Sequence, residues 1–445
     1  MKRFFGTFIL LLIVATGFCK DPKYIFYFIG DGMGPSHVLG TELYLGELEG
    51  TIGRPHRLCF TQFPQTAFVT TFSASNGVTD SAASGTALST GHKTKNGRIG
   101  VDAEGENVYS VALAAKEAGY AVGVATTVPI NHATPAAFYA HNNDRNNYHE
   151  IAQWMLTADY DFYAGGDAKC SDRQRNELYG KAMKQGYTIA RGYADYCLKA
   201  DDAEKMMLYQ AYVATEIPYT IDRNDEDLTL AEITEAGIDF LYNKEKEGFF
   251  FMVEGGKIDY ASHNDDAATM IQEVLDFDAA IQVAYQFYRK HKDETLIIVT
   301  ADHETGGFVL GYNHHYTLNL KALSSQQVSL DKLKEILIAQ GKTTWGNIAD
   351  IVKENIGVEL RDKHASDEAV EVTGNLASKI AHEAIYDLNR KAAISWASGN
   401  HSGTFVPLFA VGEDADEFHG VIDNTDIPKI IKKVGKYGKK SKKRK

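Results

Sequence analysis

Carboxylates and imidazoles recur in this sequence directly after apolar, β-prone runs. Asp31 follows Tyr24 to Ile29, inside Gly30-Asp31-Gly32-Met33-Gly34. Glu254 follows Phe249 to Val253, with Asp259 and His263 just behind. Asp302 and His303 follow Thr295 to Thr300, and His401 lies in Gly399-Asn400-His401-Ser402-Gly403. A single Asp after a strand is most often a cap or turn residue. A set delivered from several strand ends means more, because ligands in open parallel sheets gather at the carboxyl ends of the strands. Carboxylates favour Mg²⁺, and mixed carboxylate–imidazole sets suit Zn²⁺. Asp259 and His263 are four apart, so on a helical turn they share one face and can grip one cation. Adjacent Asp302 and His303 can both reach one ion only where the backbone is irregular, and Gly306-Gly307 nearby supplies freedom.

A second centre is Val78-Thr79-Asp80-Ser81-Ala82-Ala83-Ser84-Gly85-Thr86-Ala87. Small residues at a helix start bring backbone N–H groups and the positive end of the helix dipole to Ser81. Ser81 there is either an N-cap or, beside a dication that stabilises its alkoxide, a nucleophile. Arg145 stands in the polar loop Asn143-Asp144-Arg145-Asn146-Asn147, where it is either solvated or available to an anion.

These groups must be positioned by a regular framework. Strand-like and helix-like runs alternate: Tyr24 to Ile29, Ala67 to Phe72, Ala121 to Thr127, Phe249 to Val253 and Thr295 to Thr300 as strands, with Val108 to Ala118, Leu228 to Tyr242 and Ala267 to His291 as helices. Such βα alternation implies an α/β fold, a doubly wound, mostly parallel sheet with helices on both faces. Between about Asn313 and Ile394 the rhythm stops and the sequence is helix-rich and polar, which marks an insertion into the main fold. Ile394 to Ala397 and Val406 to Val411 are expected to resume the sheet, and a last helix starts at Thr425. The expected organisation is a leader at 1–19, one α/β domain over 20–312 and 395–435, the insertion at 313–394, and a basic tail at 436–445. No internal repeat is visible.

The chain has 445 residues, with 46 Lys and Arg against 59 Asp and Glu, a formal net charge of −13. Residues 429–445 hold ten Lys or Arg and no acid, so the body is more acidic still. That balance argues against nucleic acid as the main partner and suits a protein that collects cations. Lys2 and Arg3 followed by apolar Phe4 to Ala15 read as a secretory signal, giving a secreted or periplasmic protein. The run is too short for a membrane span. Lipidation of Cys19, or the basic tail against an anionic surface, offers a route to membrane association. Cys59, Cys170 and Cys197 remain after the leader, and Cys170–Cys197 is the favoured bridge because both lie in one polar, Tyr-rich stretch.

Taken together, these residues resemble the alkaline phosphatase family. The matching segments are Gly30-Asp31-Gly32-Met33-Gly34, Thr79-Asp80-Ser81-Ala82-Ala83-Ser84, His132-Ala133-Thr134-Pro135, Arg145, Val253-Glu254-Gly255, Asp259 with His263, Thr300-Ala301-Asp302-His303, and His401. They run in the family's order from Lys23 to Val411. Residues 313–395 lie outside the match, where the family carries a variable crown-like insertion. The resemblance implies a metal-dependent phosphomonoesterase acting on phosphate monoesters and inhibited by inorganic phosphate. Ser81 would become phosphoserine. Asp259, His263 and His401 would hold a first Zn²⁺, and Asp31, Ser81, Asp302 and His303 a second. Asp31, Thr134 and Glu254 would hold Mg²⁺, and Arg145 would clamp two phosphate oxygens. Two metal ions can stabilise attacking and leaving oxygens in line. His132 falls where family members carry Asp or His and is counted with the metal site; Tyr260 falls where many carry Lys or His. Both bear on the identity of the third metal. A homodimer is expected from the resemblance alone. A superfamily phosphodiesterase or sulfatase, and a secreted metal-binding protein without activity, are the competing readings. Phosphodiesterase relatives generally lack the Mg²⁺ set, and no sulfatase-type Cys/Ser-x-Pro-x-Arg context surrounds Ser81.

Overall fold

The structure, a computed structural model, describes residues 21–438 apart from 52, 245, 313–315 and 361–367. The expected leader with Cys19, and the tail from 439 onward, lie outside the described residues.

The apolar runs become strands β1 (Tyr24–Gly30), β2 (Gln65–Thr70), β3 (Ala121–Pro129), β4 (Phe162–Gly166), β5 (Tyr187–Arg191), β6 (Lys205–Tyr209), β7 (Phe249–Gly255), β8 (Thr295–Thr300), β9 (Val406–Gly412) and β10 (Gly420–Asp423). They form one ten-stranded sheet in the order β10-β2-β9-β8-β1-β7-β3-β4-β6-β5. Only β9 runs antiparallel to its neighbours. Strands β3, β7 and β8 are buried at every residue, and β1 at all but Tyr24. Burial of successive side chains means that both faces of the sheet are covered, the pattern of parallel strands between helices. The helix Leu230–Tyr242 starts with a Thr229/Glu232 capping box, and Ala267–Lys290 starts at Asp266, whose side chain accepts from Thr269 N. With β7 and β8 on either side of β1, the carboxyl ends of three central strands open on one rim.

Strands β4, β5 and β6 carry no clear apolar signature in the sequence because their neighbourhood is rich in Tyr. Those tyrosines are nonetheless core residues: Tyr160, Tyr163 and Tyr209 are fully buried. Tyr187 Oη donates to Tyr160 O at 2.7 Å and Tyr163 Oη to Met155 O at 3.2 Å, whereas the buried Tyr209 hydroxyl has no partner among the described residues.

Two expectations are corrected. Ile394–Trp396 does not rejoin the main sheet; it pairs antiparallel with Phe308–Leu310 in a separate ribbon. The reason is topological: β9 already lies between β8 and β2, so β8 has no open edge, and Trp396 packs instead on Phe308 with ring centroids 4.5 Å apart. Cys170 and Cys197 are free thiols, as is Cys59. Cys170 turns back to Ala168 O just beyond β4, while Cys197 is exposed on the Tyr193–Lys199 helix, so the shared stretch does not bring them together. The described part of 313–394 consists of helices Leu330–Ala339, Trp345–Ile356 and Gly374–Lys391, a 3₁₀ segment Leu320–Ser325 and a small ribbon.

Candidate active site

The first donor set forms where β7 meets the Lys257–His263 helix. The spacing of four places His263 Nε2 3.3 Å from Asp259 Oδ1. His401 is not held by a turn. It opens the two-residue strand His401–Ser402, which pairs antiparallel with Glu304–Thr305. Its Nε2 lies 3.2 Å from His263 Nε2 and 3.6 Å from Asp259 Oδ1. Both rings are anchored from behind, His263 Nδ1 on Gly399 O and His401 Nδ1 on Thr79 O, each at 2.8 Å. A carbonyl only accepts, so both Nδ1 atoms donate. In the neutral rings two Nε2 lone pairs then face each other beside a carboxylate, an arrangement that needs a positive charge between them. The hydrogen bond to Asp259 accordingly lifts His263 to about 9. Burial works against Asp259 ionising, but the His263 hydrogen bond and the surrounding imidazoles hold it well below the usual carboxylate range.

The second set is wholly buried. His303 Nε2 lies 3.3 Å from both Asp31 Oδ1 and Asp302 Oδ2. Asp302 Oδ1 accepts from Gly32 N at 3.1 Å and from His303 N at 2.9 Å, so the irregular backbone beyond β8 does aim adjacent residues at one point. Gly32 has φ +77°, and a Cβ there would meet Thr305 Oγ1 at 2.8 Å and Asp259 Cα at 3.0 Å. Only glycine lets the first βα turn close on both sets.

The third set is Asp31, His132 and Glu254; within each set the donor atoms lie within 4.8 Å of one another. Glu254, the penultimate residue of β7, accepts from Thr126 of the adjacent strand β3. Thr134 Oγ1 lies 3.5 Å from Asp302 Oδ2. Both Asp31 oxygens, Glu254 Oε1 and His132 Nδ1 are buried without a hydrogen-bond partner among the described residues. Burial, reinforced by Asp302, Asp259 and Glu254, pushes Asp31 well above its normal range. Burial likewise raises Glu254 to about 8, and burial with Asp259 beside it raises Asp302 to about 7. Buried carboxylates this close are stable as anions only around cations. The orphaned oxygens and converging lone pairs therefore fit metal ions.

Ser81 is the first residue of the helix Ser81–Thr90, and the cap is Asp80, whose Oδ1 accepts from Ala83 N at 2.9 Å. Asp80 thus relieves Ser81 of capping, and Ser81 Oγ faces His303 Nε2 at 3.2 Å. Arg145 Nη1 donates to Asp80 Oδ2 at 2.9 Å and Nη2 to His132 Nε2 at 3.1 Å, which brings the loop arginine beside Ser81. A guanidinium has five N–H donors, so three remain for a ligand. Every candidate from the sequence (Asp31, Ser81, His132, Thr134, Arg145, Glu254, Asp259, His263, Asp302, His303 and His401) converges on this rim.

Other supporting residues were not apparent from motifs. Glu304 accepts from Gly307 N at 3.1 Å, from Phe308 N at 3.0 Å and from Ser402 Oγ, and so ties together the two strands beside His303 and His401. Buried His37 bonds Ser262, the neighbour of His263, at 3.1 Å. Only Asp80 had a sequence signal, as an Asp directly before a small-residue helix start.

A sequence model described as alkaline phosphatase matches residues 22–437. The chain belongs to the alkaline phosphatase family. Alkaline phosphatase 4 of Bacillus subtilis (strain 168) is 33% identical over 423 residues, covering 92% of this chain and 88% of that protein. The alkaline phosphatase of Schizosaccharomyces pombe is 28% identical, with 94% and 82% covered. The crystal structure of a cold-active alkaline phosphatase from a psychrophilic Shewanella sp. superimposes with a TM-score of 0.80 at 31% identity, covering 93% of this chain and 99% of that one. The Thermus thermophilus alkaline phosphatase gives 0.77 at 25% identity, with 93% and 91% covered. As an alkaline phosphatase family member the chain is a phosphomonoesterase, and its donor sets are candidate metal sites. Among the described residues, no helix is long and apolar enough to cross a membrane.

Proposed function

We propose that this phosphatase hydrolyses phosphate monoesters through a phosphoserine on Ser81, with Zn²⁺ at the first two donor sets and Mg²⁺ at the third. The observation that carries the reading is the position of Ser81 Oγ, 3.2 Å from His303 and at the mouth of three converging donor sets. Asp259, His263 and His401 would hold one Zn²⁺. Asp31, Asp302 and His303, with Ser81, would hold the other. Asp31, Thr134 and Glu254 would hold Mg²⁺, with His132 linking that set to Arg145. Variants of the alkaline phosphatase of the Antarctic bacterium TAB5 in which a histidine is replaced by Glu or Asp hold Mg in the M3 site, so a third position in that protein takes Mg. When bound, the ions supply charge at the attacking and leaving oxygens and favour the serine alkoxide.

The chain's own groups do the rest. Asp80 fixes both the helix start and the Arg145 fork, so the nucleophile and the phosphate clamp are set by one carboxylate. The free N–H donors of Arg145 and the N-terminal end of the Ser81 helix favour the phosphoryl oxygens. His263 and His401 keep the orientation set by their backbone carbonyl partners. The same reading takes 1–19 as a secretory signal for a secreted or periplasmic enzyme, 313–394 as an insertion in one α/β domain, and 436–445 as a basic tail. It includes a homodimer, and membrane association through Cys19 or the tail.

Acid quenching during turnover of a radiolabelled phosphate monoester, followed by peptide mapping, tests the proposal. Label on the peptide containing Ser81 is expected; label elsewhere, or faster cleavage of bis(p-nitrophenyl) phosphate than of p-nitrophenyl phosphate, would overturn it.

A further inference from the structure

Three consecutive residues follow the helix that ends at His263, and each is bonded to a different part of the segment 313–394. Asn264 Nδ2 donates to Asp331 Oδ2 at 3.3 Å. Asp265 O accepts from Asn389 Nδ2 at 2.8 Å. Asp266 takes two more: its Oδ1 accepts from Gln326 Nε2 and its Oδ2 from Leu330 N, each at 2.8 Å. Leu330 and Asp331 open the helix Leu330–Ala339, Asn389 lies on Gly374–Lys391, and Gln326 follows the 3₁₀ segment Leu320–Ser325. Asp266, Gln326 and Asn389 are buried, where a hydrogen bond is worth more than at the surface.

These contacts bear on His263 because its own support is short. The Lys257–His263 helix has seven residues, and His263 is the last of them. Two turns do not hold a helix by themselves; tertiary contacts must do so. Asp265 has φ +53°, a left-handed conformation that persists in a residue with a side chain only where its surroundings hold it. From that turn the Asp265 carbonyl meets Asn389, and Asp266 is delivered to cap Ala267–Lys290. One carboxylate therefore joins three pieces: the exit from the His263 helix, the start of the long helix and the segment 313–394. The inner sets are bonded differently. Their donors meet Gly32, Ser81 and Thr126, which belong to the body of the fold. Resting on the metal assignment proposed above, we infer that the segment 313–394 is a positioning clamp for the outer donor set. Through Asn389, Gln326 and Asp331 it fixes where His263 stands, and so how tightly the outer ion is held.

The full-length, metal-loaded protein tests the clamp. Asn389→Ala and Gln326→Ala each remove one of its contacts and leave every donor atom in place. Glu47→Ala is the control: Glu47 Oε2 accepts from Lys321 N at 2.8 Å, a contact of the same segment with the helix Pro35–Leu48. Release of the more labile zinc to a chromogenic chelator is expected to be about tenfold faster in both clamp variants, the usual cost of losing a contact that supports a ligand. Magnesium content should stay unchanged, and Glu47→Ala should behave as the wild type. Amide exchange over residues 257–266 of the chelated proteins is expected to quicken in the same two variants. Where Gln326→Ala fails to fold, Asp331→Ala at a half-buried position takes its place. Zinc release within twofold of the wild type in both clamp variants, or an equal acceleration in Glu47→Ala, would overturn the clamp. Faster exchange over 257–266 in variants of a protein that binds no zinc would uphold the grip on His263 and contradict the metal assignment instead.

Discussion

The two sides of Ser81 are built differently. On one side Asp259, His263 and His401 form an imidazole-rich set in which His263 keeps 35% of its side chain exposed. On the other, Asp31, Asp302 and His303 have no exposed side-chain surface, and Glu254 behind them is equally buried. The outer set is held by hydrogen bonds from imidazoles to backbone carbonyls, the inner one by the ends of β1, β7 and β8. The contrast implies a division of labour. Under the proposed metal assignment, an ion at the outer set would be open to solvent and to the leaving group, while the buried inner sets would hold theirs fast.

Ser81→Ala removes the group both sides serve and is expected to have the largest effect, a loss on the order of 10³-fold or more in kcat. Metal content should be retained, because the sets do not depend on the hydroxyl alone. Stable acid-quenched labelling of the Ala variant would remove Ser81 from its role.

His401→Ala and Glu254→Ala test the contrast itself. The first should strip Zn²⁺ from the outer set and cost about 100-fold in activity; the second should lower Mg²⁺ occupancy selectively at a cost of about tenfold. If elemental analysis finds the same metal lost from both variants, the two sides are not independent.

Arg145 is held by Asp80 and His132, and the phosphate contact proposed for it would be made in ground and transition states alike. Arg145→Ala should raise KM and the inhibition constant of inorganic phosphate about tenfold, with a smaller fall in kcat. Arg145→Lys should restore only part, because an ammonium cannot form the bidentate pair. Unchanged values in the Ala variant would return Arg145 to the status of a loop residue.

The smallest effect concerns stability. Without metal, burial lifts Asp302 to about 7 and Glu254 to about 8, and Asp259 lifts His263 to about 9. Each folded pKa lies above its unfolded value, so each contributes stability that is lost as pH rises through the folded pKa. The chelated protein should therefore melt a few degrees lower at pH 9 than at pH 7. With metals restored the slope should flatten or reverse, since cations bind the ionised carboxylates. A falling melting temperature in both forms would contradict the metal assignment.

The site was more legible than its frame. Asp31, Glu254 and Asp302 could be found because a buried parallel strand reads as an unbroken apolar run, and a charged residue at the end of such a run stands out. His401 was found by its motif, but the ribbon pairing it with Thr305 was not, because two-residue strands have no periodicity. Strands β4 to β6 stayed hidden because tyrosine counts as half polar in a sequence, yet Tyr163, Tyr187 and Tyr209 are core residues here. The Ile394 strand misled because its alternation specifies a strand but not its partner. The role of Glu304 depends on contacts distant in sequence and had no local signature.

The claim that converging donor sets hold metals around Ser81 is tested most directly by the metal content of the wild-type protein purified without chelator. Mass-spectrometric elemental analysis should find about two Zn²⁺ and one Mg²⁺ per chain, the complement carried over from the family resemblance and in keeping with two-metal phosphoryl transfer. A single tightly held ion, or none, with hydrolysis intact would contradict it.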